Sequence, residues 1–218
     1  MYPLRLYKKL FSLYGAQGWW PVRSEHKGRG YHPNEFGLPK TRKGKFEVCI
    51  GAILTQNTAW TQVEKALTNL FAAKINTPEK ILKTDDKTIA TLIIPAGYRN
   101  QKTNYLKNIS EWFINNYPLS TIHSQLEPTR NNLLQVKGVG RETADSILLY
   151  AFHLPTFVID TYTKRALAAL KIFDEKTPYE TLRLWFMENL ELSVPLFQEY
   201  HALFVELGKN KEYSKLFP

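Results

Sequence analysis

The 218-residue chain contains a single cysteine, Cys49. One thiol cannot form an internal disulfide bond, and it cannot supply the four ligands of a cysteine-bound iron–sulfur cluster. The neighbours Phe46, Val48 and Ile50 are apolar, so we expect Cys49 to be buried as a small hydrophobic side chain. We therefore expect no cofactor of this kind, and the cytoplasm is the expected location.

The chain also lacks a long hydrophobic run. No stretch of about eighteen apolar residues is present, so the sequence predicts no transmembrane helix and no membrane partner. The N-terminal segment MYPLRLYKK is typical of an amphipathic helix rather than of a signal peptide. Hydrophobic residues still make up 44% of the chain, which is enough for a buried core.

Patterns typical of β-strands are rare, and apolar residues recur at helical spacing almost throughout. The sequence therefore predicts an all-α fold. Thr77-Pro78 is a helix start with proline in the first turn, and Thr177 with Glu180 predicts a capping box. Residues 15–45 are the exception, because glycine and proline predict a long loop there.

Acidic residues are under-represented. The chain has 29 Lys and Arg against 20 Asp and Glu, a formal net charge of +9, which suits a polyanionic partner. Several of these cations fall in the loop, and its segment 22–45 is either a DNA contact or an insertion. They are Arg23, Lys27, Arg29, Lys40, Arg42, Lys43 and Lys45.

A glycine-punctuated turn joins two segments with helical periodicity. It reads Val136, Lys137, Gly138, Val139, Gly140, Arg141. Gly138 and Gly140 permit backbone angles that a Cβ would penalise, so consecutive N–H groups can point outward at a helix N-terminus. Lys137 and Arg141 add positive charge, and the turn is predicted to hold a DNA phosphate. The alternative is an ordinary helix–turn–helix corner in which the glycines only end the first helix.

A second motif reads Val158-Ile159-Asp160-Thr161, and its aspartate follows Gly140 by twenty residues. Aspartate is a preferred N-cap residue, so one interpretation of Asp160 is purely structural. Capping is compatible with catalysis, because a helix N-terminus favours the ionised carboxylate.

Together the turn and Asp160 resemble the helix-hairpin-helix DNA glycosylases, the endonuclease III superfamily of base-excision repair. The segments Leu54-Thr-Gln-Asn-Thr58 and Gly97-Tyr-Arg-Asn-Gln-Lys102 fit earlier helices of that superfamily, so the resemblance covers most of the chain from Phe46 onward. It implies two helical domains with a cleft between them. The first is a contiguous module over residues 46–153, and the second combines residues 1–45 with 154–218.

The resemblance assigns Asp160 as the catalytic carboxylate. Cleavage of an N-glycosidic bond builds positive charge on the sugar, and a fixed carboxylate stabilises that charge or deprotonates the attacking water. The implied partner is double-stranded DNA containing a damaged base, in a prokaryotic nucleoid, and we expect the protein to be a monomer.

Glu142 departs from the pattern of bifunctional members, which carry a lysine at this position. A carboxylate cannot form the Schiff base that such a lysine makes with the sugar. The sequence therefore predicts a monofunctional glycosylase. The four cysteines that hold an iron–sulfur cluster in many members are missing too. In relatives the hairpin carbonyls hold a monovalent cation, so the resemblance implies a possible cation at this hairpin.

Aromatic residues suggest the substrate. Trp20 before Pro21, and Trp60 after the Leu-Thr-Gln-Asn-Thr segment, resemble the pocket residues of 3-methyladenine glycosylases of the endonuclease III type. A flipped base stacks between such rings, and an alkylated purine carries positive charge that a π-face attracts. The alternative is that these tryptophans only fill a core.

Gln56 and Asn57 are candidates for the side chain that fills the gap left in the duplex. Their amides could equally satisfy buried polar groups at a helix end. Lys102, Lys164 and Arg165 are candidate phosphate contacts, with solvated surface charge as the commoner alternative for such residues. His201 and Glu206 lie on the last helix, and neither receives a role because a lone histidine is more often structural.

Three functions remain open from the sequence. The first is a monofunctional glycosylase for alkylated bases such as 3-methyladenine. The second is a glycosylase for oxidised pyrimidines, uracil or mismatched thymine, with weak lyase activity. The third is a non-catalytic helix-hairpin-helix module that binds DNA.

Overall fold

In a computed structural model, residues 2–28, 30–117, 126–213 and 216 are described, and they form eleven α-helices and no strand. Arg29 of the predicted basic loop lies outside them. In chain order the helices are α1 (Tyr2–Tyr14), α2 (Arg42–Leu54), α3 (Trp60–Ala72), α4 (Pro78–Lys83), α5 (Asp86–Leu92), α6 (Arg99–Asn116), α7 (Leu126–Leu134), α8 (Arg141–Ser146), α9 (Thr161–Ala169), α10 (Tyr179–Asn189) and α11 (Val194–Asn210). A 3₁₀ turn spans Ile94–Ala96, and a π-helical stretch, Ile147–Ala151, continues α8. The all-α prediction is confirmed.

The chain divides into two compact units, Pro39–Phe152 and Met1–Leu38 with His153–Pro218. The first boundary lies seven residues before the one expected from the sequence, because α2 begins earlier than the apolar pattern indicates. Thr41 is its N-cap and accepts a hydrogen bond from the Gly44 N–H, at 3.0 Å. None of the helices described is long and apolar enough to cross a bilayer.

The unit Pro39–Phe152 is built around α2. Every residue of this helix from Phe46 to Leu54 is buried, and the helix packs against α3, α6 and the π-helical stretch. Phe46 meets Phe113 of α6 with ring centroids 5.2 Å apart, and Cys49 is fully buried as expected. Burial on all sides explains why α2 has no polar face. The segment 55–59 therefore follows a helix that is held in place by its packing.

The other unit is built around α11, which packs against α9 and α1. Its core is aromatic: the Phe157 and Phe186 rings stack with centroids 3.8 Å apart, and Tyr200 lies edge-on to both. The Tyr200 hydroxyl donates to the carbonyl of Pro3, at 2.8 Å, and so ties α11 to α1. Such offset and edge-to-face pairs add to the apolar burial that holds this unit together.

The part of the predicted loop that belongs to this unit is ordered by buried polar contacts. The His32 ring lies 2.8 Å from the Trp20 carbonyl and 2.7 Å from the Glu35 carbonyl. The Gln17 N–H donates to Glu199 of α11, at 2.6 Å. These bonds fix the loop on α11, and Trp20 is 4% exposed within it.

Candidate functional site

Asp160 stands at the start of α9 and caps it. Its Oδ1 accepts a hydrogen bond from the Thr163 N–H, at 2.7 Å, so the predicted N-cap is confirmed. The side chain is nearly buried, with 9% of the residue exposed. The carboxylate therefore lies at a helix N-terminus, where the partial positive charge of the backbone favours the ionised form.

His201 of α11 lies beside this carboxylate, a neighbour to which the sequence analysis gave no role. Its Nε2 is 3.7 Å from Asp160 Oδ2, and both side chains are largely buried. Burial acts to raise the pKa of Asp160, but the charge and hydrogen-bonding capacity of His201 and the Thr163 N–H outweigh it, so the pKa lies below its usual value. The arrangement keeps a buried aspartate ionised.

In the other unit, the turn of residues 136–141, which we call the hairpin, connects α7 to α8. Gly138 has a φ of +101°, and a Cβ there would lie closer than 3.0 Å to the ring of Tyr105. Only glycine satisfies both conditions. The same expectation for Gly140 was wrong: its φ is −91°, and a Cβ there would meet no atom within 4 Å.

Gly140 is the N-cap residue of α8 and supplies no capping side chain. Lys137, Gly140, Arg141 and Glu142 are all exposed around this N-terminus. A buried ion pair joins the two helices that the hairpin connects. Arg130 of α7 donates to both carboxylate oxygens of Asp145 in α8, at 2.8 and 3.0 Å. The hairpin thus offers backbone N–H groups and two cations on an open surface.

Gln56 is bound to the hairpin. Its Nε2 donates to the Gly138 carbonyl, at 2.8 Å, and to Thr143 Oγ1, at 3.0 Å. Gln56 therefore follows the alternative stated above, in which its amide satisfies polar groups within the protein. Asn57 differs, because it is exposed and has a φ of +51°.

The sequence analysis missed Tyr98, which precedes α6. It is 67% exposed and has a φ of +44°, an uncommon angle for a bulky residue. With Gln56 and Asn57 it lines a cavity of about 160 Å³. Exposed aromatic residues with unusual backbone angles occur at functional surfaces, and this combination was not visible in the periodicity of the chain.

Lys102 lines the same cavity, but the expectation that it contacts phosphate was wrong. It is 2% exposed, and its Nζ donates to Leu54 O, Thr58 Oγ1 and Ala96 O at 2.7–2.8 Å. Burial lowers the pKa of Lys102 to about 8. The three acceptors favour the ammonium form, so its charge serves to hold the C-terminus of α2 and the segment 55–58 in place.

The two predicted pocket tryptophans belong to different units. Trp20 is buried, with its ring edge-on to that of Trp19 at 5.7 Å between centroids, whereas Trp60 is half-buried at the first position of α3. Lys209 of α11 lies over the Trp19 ring, 5.4 Å from its centroid. Trp20 thus packs beside Trp19, whose ring also has a cationic neighbour, in the unit that carries Asp160.

Within residues 2–28, 30–117, 126–213 and 216, no group of three or more His, Cys, Asp or Glu side chains could hold a metal ion. The hairpin carbonyls of Val136, Lys137 and Gly138 accept hydrogen bonds from Val139, Asn108 and Gln56, respectively. A monovalent cation at the hairpin stays a prediction of the resemblance.

Comparisons with known proteins agree with this geometry. The family model described as HhH-GPD superfamily base excision DNA repair protein matches residues 50–191, which include the hairpin and Asp160. A protein of Methanocaldococcus jannaschii, whose name places it among DNA repair glycosylases, is 38% identical over 210 residues, covering 94% of this chain and 86% of the relative. Endonuclease III of Sulfolobus acidocaldarius is 31% identical over 182 residues, or 81% and 78% of the two chains.

Solved structures give the same picture. The 3-methyladenine DNA glycosylase of H. pylori, bound to 1,N6-ethenoadenine, superposes with a TM-score of 0.73 at 27% identity, over 96% of this chain and 98% of that one. A non-covalent endonuclease III–DNA complex superposes with a TM-score of 0.70 at 17% identity, over 92% and 81% of the chains, and shows the shared fold.

Proposed function

We propose that this chain, which belongs to the helix-hairpin-helix superfamily of base-excision DNA repair proteins and is a DNA N-glycosylase, releases alkylated bases such as 3-methyladenine and leaves the DNA strand intact. The observation that carries the proposal is the carboxylate of Asp160, which is nearly buried and caps the N-terminus of α9, with its pKa held below the usual value by His201 and the Thr163 N–H.

Asp160 acts on the sugar of the damaged nucleotide. As the N-glycosidic bond breaks, the electron pair leaves with the base and positive charge develops on the deoxyribose. The carboxylate stabilises this charge, and water then adds to C1′ and passes its proton to the carboxylate. An alkylated purine is an activated leaving group, so the reaction needs little help from a general acid.

The residue at position 142 supports the strand-preserving part of the proposal. Glu142 is exposed in the first turn of α8, at the position where the bifunctional members carry their lysine. A carboxylate cannot attack the sugar to form an imine. The product is therefore an abasic site in an unbroken strand.

Trp20 and Trp60 are proposed to stack on the extruded base. Indole faces attract cations, so a positively charged alkylated purine is bound more strongly than an undamaged neutral base. The similarity to the H. pylori 3-methyladenine glycosylase, whose structure holds a modified adenine, supports this choice. Oxidised pyrimidines, one of the alternatives that the sequence leaves open, are the substrate class against which this choice is tested.

The remaining site residues are proposed to hold the duplex. The hairpin, including Val136 and Val139, grips a phosphate through the N–H groups around Gly140 and the charges of Lys137 and Arg141. Asn57 and Tyr98 are the exposed side chains that fill the space left by the base. Gln56, which binds the hairpin, supports them from behind.

Base release from a panel of lesions tests the substrate. Duplexes carrying methylated purines, uracil, mismatched thymine or oxidised pyrimidines are incubated with the protein, and released bases are separated by chromatography. We expect release from dimethyl sulfate-treated DNA. Release of oxidised pyrimidines alone would overturn the alkylated-base proposal.

Asp160→Asn tests the chemistry in the same assay. Asparagine keeps an oxygen that caps α9, so the cost in stability is small, whereas loss of the negative charge reduces the rate by about 100-fold or more. Asp174→Asn removes an exposed carboxylate from the same unit and serves as the control. Equal rates for wild type and Asp160→Asn would exclude Asp160 as the catalytic group.

Borohydride trapping tests the absence of lyase chemistry. A Schiff base between protein and DNA is reduced to a stable covalent complex, so we expect no complex for the wild type. Glu142→Lys places an amine at the position used by bifunctional members, and we expect a trapped complex with this variant. Trapping by the wild type contradicts the strand-preserving mechanism.

A further inference from the structure

The two carboxylate oxygens of Asp160 have different neighbours. Oδ1 accepts the Thr163 N–H at 2.7 Å and is committed to capping α9. Oδ2 faces His201 Nε2 at 3.7 Å, which is ion-pair distance but longer than a hydrogen bond. Oδ2 therefore keeps its lone pairs available while it lies next to a group that can carry positive charge.

The burial of Asp160 creates a problem for catalysis. A carboxylate removed from water becomes protonated more readily, and a neutral carboxylic acid cannot stabilise a cationic sugar. The Thr163 N–H offsets part of this cost. His201 is 5% exposed, and a proton on its ring would place an opposite charge beside Oδ2, where solvent screens little of it.

We propose that His201 is a positioning residue for Asp160: its ring, 3.7 Å from Oδ2, favours the charged carboxylate when it carries a proton and holds Oδ2 in a fixed orientation for the glycosylase reaction. This inference rests on the proposed role of Asp160. His201 acts through Asp160 and needs no contact with DNA.

Other titratable and charged groups near this pair are accounted for by their own partners. On α9, Arg165 lies 3.8 Å from Glu175, and both are exposed. Tyr213 has a raised pKa, mainly through burial, and Asp160 and Tyr162 contribute to it. Glu199, on α11, accepts the Gln17 N–H.

Four further groups lie around the same helix. Burial and the charge of Glu199 raise the pKa of Tyr7, on α1. His32 contacts two carbonyl oxygens of the loop. Glu206 and Lys209 lie 3.8 Å apart near the end of α11. Of the charged pairs described here, only the one with His201 includes Asp160.

Direct titration of Asp160 is the first test. Carbon-13 NMR of protein labelled at aspartate carboxylates follows Asp160 in wild type and His201→Gln, with Asp160→Asn to assign its signal. Glutamine keeps an N–H donor but carries no charge. We expect the Asp160 midpoint to rise by about one pH unit or more, as for loss of a nearby opposite charge.

The pH profile of base release is the second test. Single-turnover rates on dimethyl sulfate-treated duplex DNA are measured from pH 8 downward through the acidic limb of the profile. In His201→Gln this acidic limb moves to higher pH by the same interval as the Asp160 midpoint. DNA affinity stays unchanged. His26→Gln, a partly exposed histidine of the same unit, is the control.

The outcomes are separable. An unchanged midpoint and an unchanged acidic limb in folded His201→Gln overturn the inference, as does a loss of DNA affinity without a change in rate. Full activity of Asp160→Asn refutes the catalytic role of Asp160 itself. Inactive Asp160→Asn with an unaffected His201→Gln refutes only the role of His201.

Discussion

Gly138→Ala provides a quantitative test of the hairpin. The φ of +101° at this position disfavours every residue with a Cβ, and the added methyl group collides with the Tyr105 ring. Two separate costs therefore fall on one small substitution. Both act on the folded state, so they appear directly in the free energy of unfolding.

The size of each cost can be estimated. A positive φ in a non-glycine residue costs about 1–2 kcal/mol. Overpacking against a half-buried ring adds about 1–3 kcal/mol, since Tyr105 must move. Together the loss is roughly 2–5 kcal/mol, which lowers the melting temperature by at least about 4 °C for a chain of this size.

Urea and thermal unfolding, followed by circular dichroism, measure this loss. Gly140→Ala is the matched control, because its φ of −91° and open surroundings predict a loss below about 1 kcal/mol. Repeating Gly138→Ala in a Tyr105→Ala background removes the collision, so only about 1–2 kcal/mol remains there.

The comparison also has a functional arm. If a phosphate approaches the N–H groups around Gly140, the methyl group of the alanine in Gly140→Ala obstructs that approach. We therefore expect Gly140→Ala to lose DNA affinity while its stability is kept. Wild-type stability in Gly138→Ala would refute the assigned turn geometry. A loss in Gly140→Ala as large as that in Gly138→Ala contradicts the reasoning on backbone angle.

Two predictions concern buried residues of the unit Pro39–Phe152, which contains the hairpin. Arg130→Met leaves Asp145 without its bidentate partner, so we expect a loss of about 3–5 kcal/mol by urea unfolding, partly recovered by adding Asp145→Leu. Burial raises the pKa of Cys49, so the folded protein keeps a proton that the unfolded chain loses above pH 9.0. Stability therefore falls as the pH rises beyond 9.0, and Cys49→Ala should show a shallower fall over pH 9–11; parallel slopes contradict this.

Local helix signals were predictable where one side chain decides the structure. Thr77 accepts the Lys80 N–H and Pro78 occupies the first helical position, as the sequence predicts. The capping box at Thr177 and Glu180 was wrong. The helix begins at Tyr179, Pro178 takes the cap position, and Glu180 accepts a hydrogen bond from Arg183 instead.

Long-range contacts were not predictable from periodicity or motif spacing. Lys102 and Leu54 are 48 positions apart, and Asp160 and His201 lie on different helices. Both contacts depend on the helix packing of their units. From sequence alone, a lysine is expected to be a surface cation and a lone histidine to be structural. The packing decides otherwise by placing carbonyl acceptors beside Lys102 and a carboxylate beside His201.

The segment 55–58 shows how these hidden contacts serve the proposed function. Lys102 holds it through Leu54 O and Thr58 Oγ1, while Gln56 anchors it to Gly138 O of the hairpin. Asn57, between these anchors, is exposed on a backbone fixed from both sides. A side chain that enters a duplex gains affinity when little conformational entropy is lost on binding. The anchors therefore favour Asn57 over Gln56 as the residue that enters the DNA.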